Sequence, residues 1–321
     1  MGKYKYVVVS PRIDNGGCLV LHTLYKYLQD LGEDVKIFYF GNNIYDEKHP
    51  FSFWFQWVLT QFKVSIKNLV VKVIGNRIPR CSIHIPKCKY RRKYLPFFDD
   101  DTIVIYSEKV FGNPFKAKKV VRWLLLNNRL YSKNEGEPVG YEKNDLFFTY
   151  RDVFNDKSIN PTCRKLHLAY FDLDLYKRTN YGERSGNCYI IRKGSLRTDR
   201  PTQFDGPIID NMSEEKKVET LNKCKYCISY DTQTSYSMIA ALCGCISIVV
   251  PEKGKTWRDY RSEEEYKSCK GIAFGFSDEE IQRAVATMGA VAEYLNEINQ
   301  VGFNNVKKFV EECEDYFSQQ L

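Results

Sequence analysis

The side chains best equipped for chemistry in this sequence lie between Cys224 and Glu252. Asp231-Thr-Gln-Thr-Ser235 is a loop of small hydrogen-bonding residues. It sits between a short strand, Tyr226 to Tyr230, and a helix, Ser235 to Leu242. The first backbone N–H groups of a helix have no intrahelical partner, so a loop of this kind with Thr and Ser hydroxyls beside it suits a phosphate or diphosphate. Gly244 ends the helix, and Ile246 to Val250 reads as an uninterrupted buried strand. The same pattern occurs in any strand–helix–strand unit of an α/β protein, and this segment alone leaves both readings open.

Two other places offer polar groups at a strand end. Arg192-Lys-Gly194 follows the strand Cys188 to Ile191, and its plain alternative is a solvated loop. Pro11-Arg-Ile-Asp-Asn-Gly-Gly17 joins the first strand, Tyr4 to Ser10, to a helix from Cys18 to Leu31 closed by Gly32. It lacks the G-x-G-x-x-G dinucleotide fingerprint, and its glycine pair instead lets a ligand or a facing domain approach the backbone. His22, His49, His84 and His167 form no triad or ligand set. Cys224-x-x-Cys227 with Cys243-x-Cys245 straddles element boundaries with no histidine nearby, so zinc is not expected. Asp99-Asp-Asp101 reads as a solvated turn, and Asp172-Leu-Asp174 falls in a crossing between domains. No metal is expected.

The elements that must hold these groups alternate strand and helix. After Val35 to Phe40 the alternation breaks over residues 45–100. There Phe51, Trp54, Phe55, Val58, Phe62, Ile66, Leu69, Val70 and Val73 recur at helical spacing, flanked by Lys63, Lys67 and Lys72 and followed by Lys87-Cys-Lys-Tyr-Arg-Arg-Lys93. Two readings stay open: an insertion packing its stripe on the core, or a peripheral contact with an anionic membrane surface through 51–93. The run is too interrupted to span a bilayer. The alternation resumes with strand Thr102 to Tyr106, a helix over Lys116 to Asn127 and a strand near Leu146 to Tyr150. Leu166 to Leu175 crosses toward a second domain, with Asn180 to Asn187 as a turn-rich linker. Beyond it come helix Glu214 to Lys223, strand Gly271 to Phe274, and a helical end from Asp278 to Gln319 broken near Val301-Gly302. The fold class expected is α/β: two Rossmann-like domains facing across a cleft, 1–175 and 187–321, with the last helices packing back on the first.

The chain has 321 residues, a net charge of +8 and 15% aromatic residues. The charge favours anionic partners. The basic residues form one local cluster, no recognition module is visible, and nucleic acid is not expected. Met1-Gly-Lys-Tyr-Lys-Tyr runs straight into a strand without a signal peptide. Eleven cysteines, several in strands and helices, read as buried thiols, so a cytoplasmic setting is expected, with peripheral attachment to the inner face of the cell membrane as the alternative.

Taken in order and spacing, these features resemble the GT-B glycosyltransferases of bacterial surface-polysaccharide synthesis, which use nucleotide sugars. They are two Rossmann-like halves, Asn15-Gly16-Gly17, Arg192-Lys193, and a polar loop before Ala-Ala-Leu-Cys-Gly244. The resemblance implies a metal-independent hexosyltransferase-like enzyme with a nucleotide-diphosphate sugar as co-substrate, no other cofactor, and a glycan or lipid-linked acceptor. It implies that Arg192 and Lys193 neutralise the donor diphosphate, that Asp231 contacts the donor sugar, and that Thr232, Thr234, Ser235 and Tyr236 give hydroxyls to phosphate or ribose. Asn15, Gly16 and Gly17 match the acceptor-side glycine loop. Glu108 and Asp14 are the candidates for a base in an inverting reaction, with structural alternatives in a turn at Asp14 and an ion pair of Glu108 with Lys109 or Arg122. The family-4 relatives carry an E-x7-E motif. Here Asp231 stands at its first position and Ile239 at its second, which leaves the ribose contact and the stereochemistry open. The alternative is a non-catalytic nucleotide- or glycan-binding relative.

Overall fold

Alternating β-branched and aromatic residues build the first sheet. In the computed structural model, β1 (Lys5–Pro11), β2 (Asp34–Phe40), β3 (Thr102–Ser107), β4 (Lys119–Leu124) and β5 (Leu146–Thr149) are parallel, in the order β2-β1-β3-β4-β5. Helix α1 (Gly16–Asp30) follows β1. Tyr6, Val8, Ile103, Ile105, Val121 and Trp123 face one way, against Leu21, Leu24 and Leu28 of α1 and against Phe309, Cys313 and Phe317. Val7, Val9, Val104, Tyr106 and Val120 face the other, against Val110 and Ala117. Burial on both faces is the usual condition of a parallel sheet.

The structure describes residues 4–11, 16–40, 99–110, 112–126 and 141–319, together with Phe51, Ser52, Phe55, Val58, Leu59 and Phe62. Asp14, Asn15, His49, His84 and the rest of the 45–100 insertion, with its basic cluster, lie outside the described residues. The chain divides into two units, Met1–Tyr170 with Gln300–Leu321, and Phe171–Asn299.

The second unit holds a four-stranded parallel sheet in sequence order: β6 (Asn187–Ile190), β7 (Tyr226–Ser229), β8 (Ile246–Val249) and β9 (Ile272–Phe274). Its helices are α2 (Glu214–Lys223), α3 (Tyr236–Leu242), α4 (Glu263–Ser268) and α5 (Asp278–Thr287), and α6 (Val291–Ser318) begins here. Ser213, Ser262 and Ser277 cap α2, α4 and α5, each accepting a backbone N–H of the first turn. Tyr189, Ile191, Ile228, Tyr230, Ile248 and Ala273 form its core with Ala284 of α5. Two parallel sheets with flanking helices make this an α/β protein. Among the described residues no helix is long and apolar enough to cross a membrane.

Three local expectations are corrected. Residues 119–124 form β4, a central strand, where the periodicity suggested a helix over 116–127. All six side chains are buried, Lys119 and Arg122 included, and a run buried on both faces has no solvent side to separate a strand's period from a helix's. The last helix is not broken at Val301-Gly302. The interruption is a 3-10 turn at Met288–Ala290, and α6 then runs unbroken for 28 residues. Gly302 serves packing instead, because a Cβ there would lie 3.1 Å from the Ala169 carbonyl oxygen and 3.2 Å from the Tyr27 ring. Asn180 to Asn187 is no free linker. Asn222 Oδ1 accepts from the Thr179 N–H at 2.7 Å, and Arg184 donates to the carbonyls of Leu221 at 2.8 Å and Cys243 at 2.7 Å, so this segment is bound into the second unit.

Candidate functional site

Because β6 to β9 all run the same way, the segments leaving them emerge at one edge of the sheet. Ligands of open α/β sheets bind at such carboxyl edges. The segments that emerge here are Arg192–Leu196 after β6, Asp231–Ser235 after β7, and Val250-Pro251-Glu252 after β8.

Arg192 sits at this edge with φ +37°, a conformation that residues with a side chain rarely adopt. What holds it there is Asp210, whose Oδ2 accepts the Arg192 N–H at 2.7 Å and the Ile191 N–H at 3.1 Å. The side chains of Arg192 and Lys193 are exposed. The Arg192 guanidinium lies 5.2 Å from the centre of the Tyr236 ring, within cation–π range. Gly194 then presses the turn onto β7. A Cβ at this position would come 2.3 Å from the Tyr230 carbonyl oxygen.

Arg197, whose role the sequence reading missed, ties the whole edge together. Its guanidinium donates to the carbonyls of Tyr230 (3.1 Å), Val250 (2.7 Å) and Pro251 (2.8 Å), joining the ends of β7 and β8. Asp199 receives it on both carboxylate oxygens at 2.9 Å, and this pairing holds the Asp199 carboxyl well below the usual range. The only trace in the sequence is the Arg-x-Asp spacing, which is common in loops.

The loop after β7 is more self-contained than expected. Asp231 is only 3% exposed. Its Oδ1 accepts the Gln233 N–H at 3.0 Å and its carbonyl accepts the Ser229 hydroxyl at 2.8 Å, which makes it the organiser of a turn. Thr234 Oγ1 accepts the Tyr236 N–H at 3.3 Å, and the carbonyls of Thr234 and Ser235 accept those of Ser237 and Met238. Local groups thus take N–H donors that the sequence reading left for an anion, and the positive charge of the edge comes from Arg192 and Lys193. The Thr232 carbonyl accepts from Arg261 at 3.3 Å.

Tyr236 turns its hydroxyl inward, donating to Glu214 Oε1 at 2.8 Å and accepting from Lys217 Nζ at 3.1 Å, while the Tyr176 hydroxyl holds the other Glu214 oxygen. Its contribution to the edge is the ring beneath Arg192 rather than a hydroxyl. Ser237 Oγ is buried in the first turn of α3 without a hydrogen-bond partner among the described residues. Ile239, at the second position of the acidic motif, is buried in α3.

In the first unit the strand order reverses direction between β1 and β3, the arrangement that opens a crevice at the carboxyl ends of those two strands. Gly16 and Gly17 begin α1 after β1, and Glu108 directly follows β3. Glu108 is 4% exposed, and its Oε2 accepts the Leu125 N–H at 2.9 Å, linking the ends of β3 and β4. Burial pushes its carboxyl above the usual value, against the pull of its backbone hydrogen bonds.

Arg122 does not pair with Glu108. It is fully buried, donating to Asp145 at 2.7 Å and to the carbonyls of Val110 (2.9 Å) and Gly112 (2.7 Å), so it braces the loop that carries Glu108. His22 is buried with Nδ1 2.6 Å from the Cys18 carbonyl oxygen, and burial lowers its pKa, which keeps it neutral at pH 7. Among the described residues no group of three or more His, Cys, Asp or Glu is arranged to hold a metal ion.

No family model and no curated protein matches this chain. Two solved structures align along nearly its whole length. One is a glycosyltransferase from Rickettsia africae ESF-5, 10% identical, covering 99% of each chain with a TM-score of 0.42. The other is a sucrose-phosphate synthase from Thermosynechococcus elongatus, 8% identical, covering 98% of each chain with a TM-score of 0.37. At such scores neither likeness bears on the activity of this chain, which rests on its own residues.

Proposed function

We propose that this protein is a GT-B glycosyltransferase that moves a sugar from a nucleotide-diphosphate donor to a glycan or lipid-linked acceptor in surface polysaccharide synthesis. The observation that carries the reading is Arg192. A strained backbone held by the half-buried Asp210 carboxylate and a guanidinium laid on an aromatic ring preorganise Arg192, and the exposed Lys193 next to it adds a second cation at the carboxyl edge of a parallel sheet. Such a pair suits a diphosphate. It neutralises the donor and stabilises the charge that grows on the nucleoside diphosphate as the glycosidic bond breaks, a role otherwise given to a metal ion. Asp231 and the Thr232, Thr234 and Ser235 hydroxyls are assigned to the sugar and ribose side. Glu108 and Asp14 are the carboxylates assigned to the acceptor proton if configuration inverts.

Ile239 favours a second reading, a nucleotide- or glycan-binding relative without catalysis, because the carboxylate usual at that position is replaced by a buried aliphatic. Thermal-shift titration with nucleoside diphosphates and their sugars, followed by donor hydrolysis, separates the readings. Arg192→Gln/Lys193→Gln, folded as the wild type, is expected to lose the diphosphate-induced shift. An unchanged shift rejects the site, and binding without turnover selects the second reading.

A further inference from the structure

Glu214 and Lys217, in the first turn of α2, pair at 2.8 Å with both side chains only 4% exposed. Desolvation cancels much of the attraction in a buried ion pair, and apolar residues of similar volume commonly serve stability as well. Two phenols converge on the same carboxylate. Tyr236 donates to Oε1 at 2.8 Å, and the buried Tyr176 donates to Oε2. Burial, with the carboxylate it bonds, holds Tyr176 above the usual phenol range, so it stays a donor at neutral pH. Lys217 Nζ also donates to the Tyr236 hydroxyl at 3.1 Å. That hydroxyl therefore gives one hydrogen bond to a carboxylate and accepts one from an ammonium.

A phenol gripped on both sides at its oxygen is not free to swing its ring. The ring in question carries the Arg192 guanidinium, 5.2 Å from its centre. Asp210 holds only the Arg192 backbone N–H, and the guanidinium has no hydrogen-bond or ion-pair partner among the described residues. Among those residues the Tyr236 ring alone directs it. Lys217 Nζ lies 4.5 Å from the same ring centre, and the paired Glu214 carboxylate offsets its charge. We propose that Glu214, Lys217 and Tyr176 are positioning residues. With Arg192 read as a ligand of the donor diphosphate, they fix the Tyr236 ring so that the guanidinium is aimed before the anion arrives. An arginine fixed on a ligand loses much rotamer freedom, and a seat that already holds it lowers that cost.

Calorimetric titration of the full chain with inorganic pyrophosphate and with uridine diphosphate tests this role. Tyr236→Phe keeps the ring and removes the clamp. Lys217 and Tyr176 still satisfy Glu214, so the variant is expected to fold and to bind pyrophosphate about threefold to tenfold more weakly. Glu214→Gln/Lys217→Met removes both charges together, strands neither, and is expected to lose a similar factor. Should this double variant fail to fold, Tyr236→Phe decides by itself. In an Arg192→Gln background neither change is expected to weaken binding by more than about 1.5-fold, because the group being aimed is gone. A purely structural clamp would instead act alike in both backgrounds. Equal loss in both, or wild-type affinity in Tyr236→Phe while Arg192→Gln is impaired, would overturn the positioning role and leave the Arg192 site standing. Unchanged affinity in Arg192→Gln, or wild-type protein that binds neither probe, would overturn both.

Discussion

Gly194→Ala is the sharpest probe of the candidate site, because its cost can be worked from distances. The new Cβ would stand 2.3 Å from the Tyr230 carbonyl oxygen, 2.7 Å from its carbon and 3.0 Å from its Cβ. None of these atoms is the end of a flexible side chain. The Tyr230 N–H is also held to the Ile190 carbonyl at 2.8 Å, so β7 cannot easily withdraw. The turn carrying Arg192 and Lys193 must lift by about 1 Å to restore ordinary contact. Overpacking of this kind costs about 1–3 kcal/mol, and a rigid backbone partner puts it near the top of that range. At about 2–4 °C per kcal/mol the melting temperature should fall by about 5–10 °C. A displacement of about 1 Å in a positioning element can cost about a hundredfold in turnover, so donor hydrolysis should fall by that order.

Gly206→Ala is the matched control. Its Cβ would meet the Asn187 carbonyl oxygen at 2.0 Å, a clash of the same kind at the opposite end of β6. It should destabilise comparably yet leave the diphosphate-induced thermal shift of the folded protein intact. A wild-type melting temperature and diphosphate response in Gly194→Ala would refute the reasoning, as would equal loss of binding in both variants.

Two further outcomes are expected. Arg122→Leu strands the buried Asp145 carboxylate and unpairs the carbonyls of Val110 and Gly112, so urea denaturation should show a loss of about 3–5 kcal/mol. Arg122→Leu/Asp145→Leu should cost less than the two single changes summed. Glu108 has a folded-state pKa raised by burial, so its carboxylate opposes folding at neutral pH, and that cost fades as pH falls through the raised value toward the unfolded value near 4.5. Glu108→Gln, whose amide oxygen can still accept the Leu125 N–H, should therefore be more stable than wild type at pH 7. The gap should narrow as pH falls toward 4.5. A pH-independent difference would contradict burial as the cause.

Local patterning made most of the elements legible. The helix starts at Glu214 and Asp278, the helix stop at Gly244 and the strand runs in β1, β3, β7 and β8 follow from patterns that act over a few residues, and the structure adds the Ser213 and Ser277 caps that begin the two helices. β4 was misread because Val120, Val121, Trp123 and Leu124 are buried from both faces, and periodicity vanishes where there is no solvent side. Gly302 looked like a breaker because its reason for being small, the carbonyl of Ala169 and the ring of Tyr27, is distant in sequence.

The candidate site divides the same way. The sequence by itself determined an α/β chain of parallel strands, the residue types at the strand ends, and the pairing of Arg192 with Lys193, because these depend on order along the chain. Only the tertiary structure decided what each of those residues touches. It set Arg192 on Tyr236 under the hold of Asp210, turned the Tyr236 hydroxyl to Glu214, buried Asp231 as a turn former, and made Arg197 the clasp between β7 and β8. Those contacts span up to 54 residues of chain. A side chain's charge is written in its type, but its partner is selected by packing among many elements at once, and no local pattern carries that choice.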